Sequence, residues 1–172
     1  MTRLFEITHE DIKQLNDLQL TDLLRRLLHL EAVRFRIPAS GVGIALNINV
    51  PDGGEDGRIK WSGDPARTNY IPNHLTMFQC KAKDMGPTAC ADELHLKDSV
   101  ELKPQVATVL DAGGCYILFT TQALNENQIS ERIEKMREAI KAAGKPYADT
   151  ADLDIYDANN LPVMPKAFLE WR

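Results

Sequence analysis

Cysteine is scarce and scattered in this chain: Cys80, Cys90 and Cys115 among 172 residues, with no C-x-x-C pair. An odd, dispersed set argues against a disulfide framework and against a structural zinc site. Cys90 and His95 are ligand types, but two residues do not complete a zinc shell. Long apolar runs are also missing. The most leucine-rich stretch, Leu18 to Leu30, is interrupted by Asp22, Arg25, Arg26 and His29, so it does not span a bilayer. The opening Met1-Thr-Arg-Leu-Phe-Glu-Ile7 lacks the form of a signal peptide, and a reduced, cytoplasmic setting is the expectation. Positive charge is not in excess, the formal net charge being −5. That balance does not fit a protein that coats nucleic acid through bulk charge. It leaves room for a nuclease, whose metal site needs carboxylates and whose phosphate contacts need only a local basic rim. Aromatic residues are few, at 6%, and do not interleave with basic ones, so no single-strand stacking platform is expected. The phosphate-loop pattern G-x-x-x-x-G-K-[ST] is absent, which excludes a P-loop NTPase for this stretch. No nucleophile elbow supports a Ser/His/Asp hydrolase.

What remains is the composition of a globular domain: 44% hydrophobic and 26% charged residues, in a length that suits one domain with a real core. Thr8 to Gln14 reads as a short capped helix, with Asp11 at the capping-box position. Leu18 to Phe35 reads as a longer helix, because Leu20, Leu24, Leu27 and Glu31 recur at steps of four and three. Val42, Ile44, Leu46, Ile48 and Val50 alternate with small or polar residues and mark a strand. The turn Pro51-Asp-Gly-Gly54 leads to a returning strand over 55–61, so a hairpin is expected. A loop over 62–73 precedes a third strand over 75–82. The stretch 86–97 suggests a loop plus a short helix. A helix over 102–112 ends at Gly113-Gly114. Cys115 to Thr121 is a continuous apolar run, suited to a central strand buried on both faces. A helix over 127–143 and a short strand over 152–156 complete the order, and 157–172 begins a further segment. This order predicts an α/β domain, a mixed sheet flanked by helices.

Three places carry candidate chemistry. Glu31 shares the apolar stripe of its helix, where a carboxylate costs several kcal/mol unless paired or metal-bound; it also lies where such a stripe reaches solvent. Asp56 stands in Asp52-Gly-Gly-Glu-Asp-Gly57, a run that allows close backbone approach and is equally the composition of an ordinary turn. Asp52 and Glu55 compete with it, and Glu55 would point to the opposite strand face. Gln79 and Lys81, two apart on an apolar strand, share a face, and a lysine there serves either a site or the guarding of an edge strand.

Taken together, a helix glutamate, an Asp at a hairpin and Gln79-Cys80-Lys81 on the next strand resemble the PD-(D/E)XK nuclease superfamily, in its Mrr-like branch, which writes the last motif as Q-x-K. The resemblance covers roughly residues 18–121, loose in identity but specific in pattern. It implies a restriction-endonuclease-like fold, a single nuclease domain over 1–172 with its core at about 18–156, and hydrolysis of double-stranded DNA with low sequence specificity. It implies catalytic roles for Asp56, Gln79, Lys81 and Glu31. It further implies a Mg2+ ion, replaceable by Mn2+, held by Asp56, the Gln79 side chain, the Cys80 carbonyl and Glu31, with Lys81 orienting water and stabilising the transition state. Gln79 departs from the acidic residue of the wider superfamily and removes one negative charge. Lys83, Lys97, Lys103, Gln105 and Arg58 are candidate phosphate contacts, each also readable as solvated surface. The segments Gly113-Gly-Cys-Tyr-Ile-Leu-Phe-Thr120 and Ile155-Tyr-Asp-Ala-Asn159 look like the N-terminal nuclease region of STAND/AVAST-type antiphage NTPases. On that likeness the chain is a fragment of a longer defence protein, with no membrane partner, active as a homo-oligomer assembled by further domains. A junction-selective resolvase, or an inactive nuclease-like binding module, are the alternatives.

Overall fold

The computed structural model describes residues 8–44 and 55–160. The later part of the expected first strand, the Pro51–Gly54 turn with Asp52, and the chain from Leu161 onward lie outside the described residues.

Three of the helices begin at reciprocal caps. Thr8 and Asp11 cap α1 (His9–Lys13), Asn16 and Gln19 cap α2 (Asp17–Arg34), and Asn125 and Gln128 cap α5 (Glu126–Ala142). In each, the side chain of the first residue takes an amide that has no partner within the helix, and the third residue's side chain reaches back. The helices α3 (Pro87–Asp92) and α4 (Pro104–Asp111) begin instead with proline, whose missing N–H is no loss in the first turn.

Five strands form one sheet among the described residues, in the order β1 (Val42–Ile44), β2 (Gly57–Lys60), β3 (Leu75–Lys81), β4 (Cys115–Thr120) and β5 (Asp152–Tyr156). β1 pairs antiparallel with β2, Val42 opposite Ile59, and β2 pairs antiparallel with β3, Gly57 opposite Phe78. β3 and β4 run parallel, from Thr76 beside Cys115 to Lys81 beside Thr120, and β4 and β5 run parallel from Cys115 beside Asp152. Parallel neighbours need crossovers; α3 and α4 carry the first and α5 the second. The expected mixed α/β architecture is therefore present.

The sheet separates two apolar layers. On one face Leu20, Leu24, Leu27 and Leu28 of α2 pack on Ile59, Phe78, Cys80, Ile117 and Phe119. On the other, Met77, Tyr116, Leu118, Leu153 and Ile155 meet Cys90 of α3, Val106 and Val109 of α4, and Met136 and Ile140 of α5. Every residue of β4 is buried, as its unbroken apolar run requires. Alternation along β3 places Phe78 and Cys80 toward α2, and Met77, Gln79 and Lys81 toward the other helices.

Candidate functional site

Gln79 is a polar side chain in an apolar row, 1% exposed, so both ends of its amide need partners. They have them. Its Oε1 accepts from the Tyr116 hydroxyl at 2.6 Å, and its Nε2 donates to Glu93 Oε2 at 2.5 Å. The carboxylate can only accept, which fixes the orientation of the amide. Lys81, two residues further on the same face, reaches Glu93 Oε1 at 2.9 Å. Lys103, the N-cap of α4, reaches Glu93 Oε2 at 3.2 Å. One carboxylate, just past the end of α3, thus gathers donors from a strand and a second helix.

Burial would raise the Glu93 carboxyl, but the hydrogen bond and charge of Lys81, with those of Lys103, outweigh it and hold Glu93 below its usual range. Glu93 is therefore ionised at neutral pH. Tyr116 is pushed well up, first by burial and then by the charge of Glu93, so its hydroxyl remains a donor.

Asp56 lies immediately before β2. Its N–H donates to Phe78 O at 3.0 Å, and its Oδ2 accepts the Cys80 N–H at 2.7 Å. The aspartate thus occupies the place beside β3 just outside the β2 ladder. Within a strand, the N–H and C=O of one residue face the same neighbour, so the Cys80 carbonyl opens on the side of Asp56. The Cys80 thiol itself points into the α2 layer and is raised far above its usual range, by burial first and then by Asp56, which makes it an unreactive core group.

The end of α2 that meets this region is its first turn. Asp17 Oδ1 accepts the Ala82 N–H at 2.7 Å. Glu31 is elsewhere: residues 17 to 31 of α2 span about 21 Å at the helical rise. The residue is 1% exposed, and its carboxylate faces Thr68 and the Asn69 and Tyr70 amides, with Arg34 alongside. Neither oxygen has a hydrogen bond of ordinary geometry. Glu31 is thus buried as its stripe position implied, but at the far end of the helix from Lys81.

The candidate phosphate contacts divide. Lys103 joins Glu93. Arg58, on the same sheet face as Gln79, is paired with Glu55 and keeps a buried Nε without a hydrogen-bond partner. Gln105 is half-buried, its Oε1 likewise lacking a hydrogen-bond partner. Lys83 and Lys97 are exposed. Among the described residues no three His, Cys, Asp or Glu side chains gather closely enough to hold a metal ion.

Glu93, Asp17 and Tyr116 were not among the residues the sequence singled out. Glu93 falls in a stretch with no clear period. Asp17 was masked by placing the helix start at Leu18, although Asn16 with Gln19 is a legible capping box. Tyr116 hides within an apolar run. No protein-family model, curated protein or solved structure matches this chain.

Proposed function

We propose that this chain is a Mg2+-dependent endonuclease domain that hydrolyses phosphodiesters in double-stranded DNA with little sequence specificity. On this reading it is the cytoplasmic effector of an antiviral defence protein, active as a homo-oligomer. The observation that carries the reading is the position of Asp56: its carboxylate holds the Cys80 N–H at 2.7 Å, one residue from Lys81, just beyond the last Gly57–Phe78 pair of the β2–β3 ladder.

Asp56 and the Cys80 carbonyl would be the protein ligands of a Mg2+ ion that keeps most of its waters. The Gln79 oxygen is committed to Tyr116, and Glu31 belongs to another part of the molecule. When bound, the ion supplies Lewis acidity toward the phosphate. Lys81 stabilises the charge that develops on the phosphoryl oxygens and orders the attacking water.

Plasmid cleavage at low salt with Mg2+, Mn2+ or EDTA tests this, at high protein concentration and with an added oligomerising fusion. Metal-dependent nicking that falls by roughly 100-fold or more in Asp56→Ala and Lys81→Ala is expected. Preference for a four-way junction over linear duplex would favour a resolvase. A second reading has its own observation: Gln79 is satisfied at both ends and Glu93 is saturated with donors, as in a closed, inactive site. No cleavage when clustered, with no Mg2+ binding by calorimetry, would leave a binding module on a nuclease-like scaffold.

A further inference from the structure

Gln79 Nε2, Lys81 Nζ and Lys103 Nζ converge on one carboxylate at 2.5, 2.9 and 3.2 Å. Two cations on one anion leave a net positive charge in the cluster. The Glu93, Lys81 and Lys103 side chains are 18%, 24% and 19% exposed, so solvent reaches them without the layer opening. The groove leading to Glu93 and Lys103 is lined by Lys97 but also by Asp92 and Asp98. The converging donors, rather than the groove's overall charge, are therefore what selects an anion.

The donors and the acceptor differ in how they are held. Gln79 and Lys81 sit on a strand held in register with β4, opposite Leu118 and Thr120, and Lys103 opens a helix whose first-turn amides receive no side-chain cap. Glu93, by contrast, ends a six-residue helix and leads into the loop that reaches α4. A carboxylate and a phosphate offer similar paired anionic oxygens to such donors.

We propose that Gln79, Lys81 and Lys103 form a receptor for a phosphate oxyanion, and that Glu93 is its built-in competitor, seated in the receptor until a phosphate displaces it. Assigning that phosphate to a nucleic-acid backbone rests on the nuclease reading; the receptor itself does not require catalysis. In a nuclease, this arrangement keeps Lys81 engaged until substrate arrives at high local concentration, as clustering on DNA would provide.

The test measures binding in EDTA, where no cleavage is needed. A fluorescent 20-base-pair duplex and inorganic phosphate serve as separate probes, on the full chain. Glu93→Gln removes the competing charge while keeping the side chain's size, and should tighten binding by roughly 5–150-fold, the usual range of such coupling. Adding Lys103→Met to Glu93→Gln should abolish that gain. A gain with the duplex identifies a backbone phosphodiester; a gain with inorganic phosphate alone identifies a small free phosphate. Unchanged or weaker binding of both probes by folded Glu93→Gln overturns the proposal. Should Glu93→Gln not fold, phosphate titrated into the unaltered protein decides. Saturable NMR shifts of the Glu93 carboxylate and Lys103 Nζ support displacement, and their absence overturns it. Tightening without any plasmid cleavage would retain the receptor and reject the nuclease.

Discussion

At the scale of single residues, Glu31 and Glu93 show how environment decides what a carboxylate does. Both are shielded from water, and in both burial is the largest influence on the proton. Glu93 has two lysines and is held low; Glu31 has weaker compensation and is raised. A raised acid binds more protons folded than unfolded, so Glu31 costs nothing below its unfolded value and destabilises increasingly as pH rises toward and through the folded value. Glu31→Gln should therefore stabilise the fold by roughly 1 kcal/mol at pH 7, and the gain should shrink toward pH 4. Thermal melts at the two pH values check this. Glu93 contributes with the opposite sign: its stabilisation is present at neutral pH and is lost as pH falls through the folded value. Asp56→Asn preserves an acceptor for the Cys80 N–H but removes the charge. It should melt near the wild type and, on the proposed nuclease reading, lose cleavage.

Among the secondary-structure elements, the close approach of α4 to the sheet depends on Gly114. A Cβ there would meet Leu75 O at 2.7 Å and a Val109 methyl at 2.8 Å. The obstacle includes backbone, which cannot rotate away. Gly114→Ala should cost about 1–3 kcal/mol, read as a lowered denaturant midpoint with an unchanged slope. The Asn125–Gln128 box at the start of α5 is a milder dependence, and Asn125→Ala should cost about 1 kcal/mol. Most elements were legible because each carries a period or a cap of its own: the α2 stripe, the unbroken β4 run, the Thr8–Asp11 box of α1. The short helix α3 was only partly legible, since six residues hold too little periodicity to reveal a face. That is why Glu93, at its end, went unnoticed.

Across the whole molecule, charge is distributed rather than concentrated. The net charge is −5, and the basic groups near the candidate site are few. If Lys81, Lys83, Lys103 and Arg58 all reach phosphates, log binding constant against log salt should have a slope no steeper than about −4. Fluorescence anisotropy from low to moderate salt measures it. A steeper slope would reveal a basic surface contributed by residues beyond this set. Among the described residues no helix is long and apolar enough to cross a membrane.

The sequence by itself determined the layers of this protein: period and capping are local, and they place apolar stripes that can only be buried against one another. It also determined that Gln79 and Lys81 share a face, because strand alternation is a property of the backbone. Only the tertiary structure decided what those side chains meet. Asp56 reaches β3 because β2 begins just after it, and Asp17 reaches Ala82 because α2 enters at that end of the sheet. Glu31 was carried away for the same reason, being on the right face of α2 but too far along it. Periodicity fixes an angle around a helix; position along the helix relative to a strand end depends on packing between distant parts of the chain. The Glu93 cluster is the clearest case, since its members come from β3, the end of α3 and the start of α4, and crossover geometry alone brings them to one point.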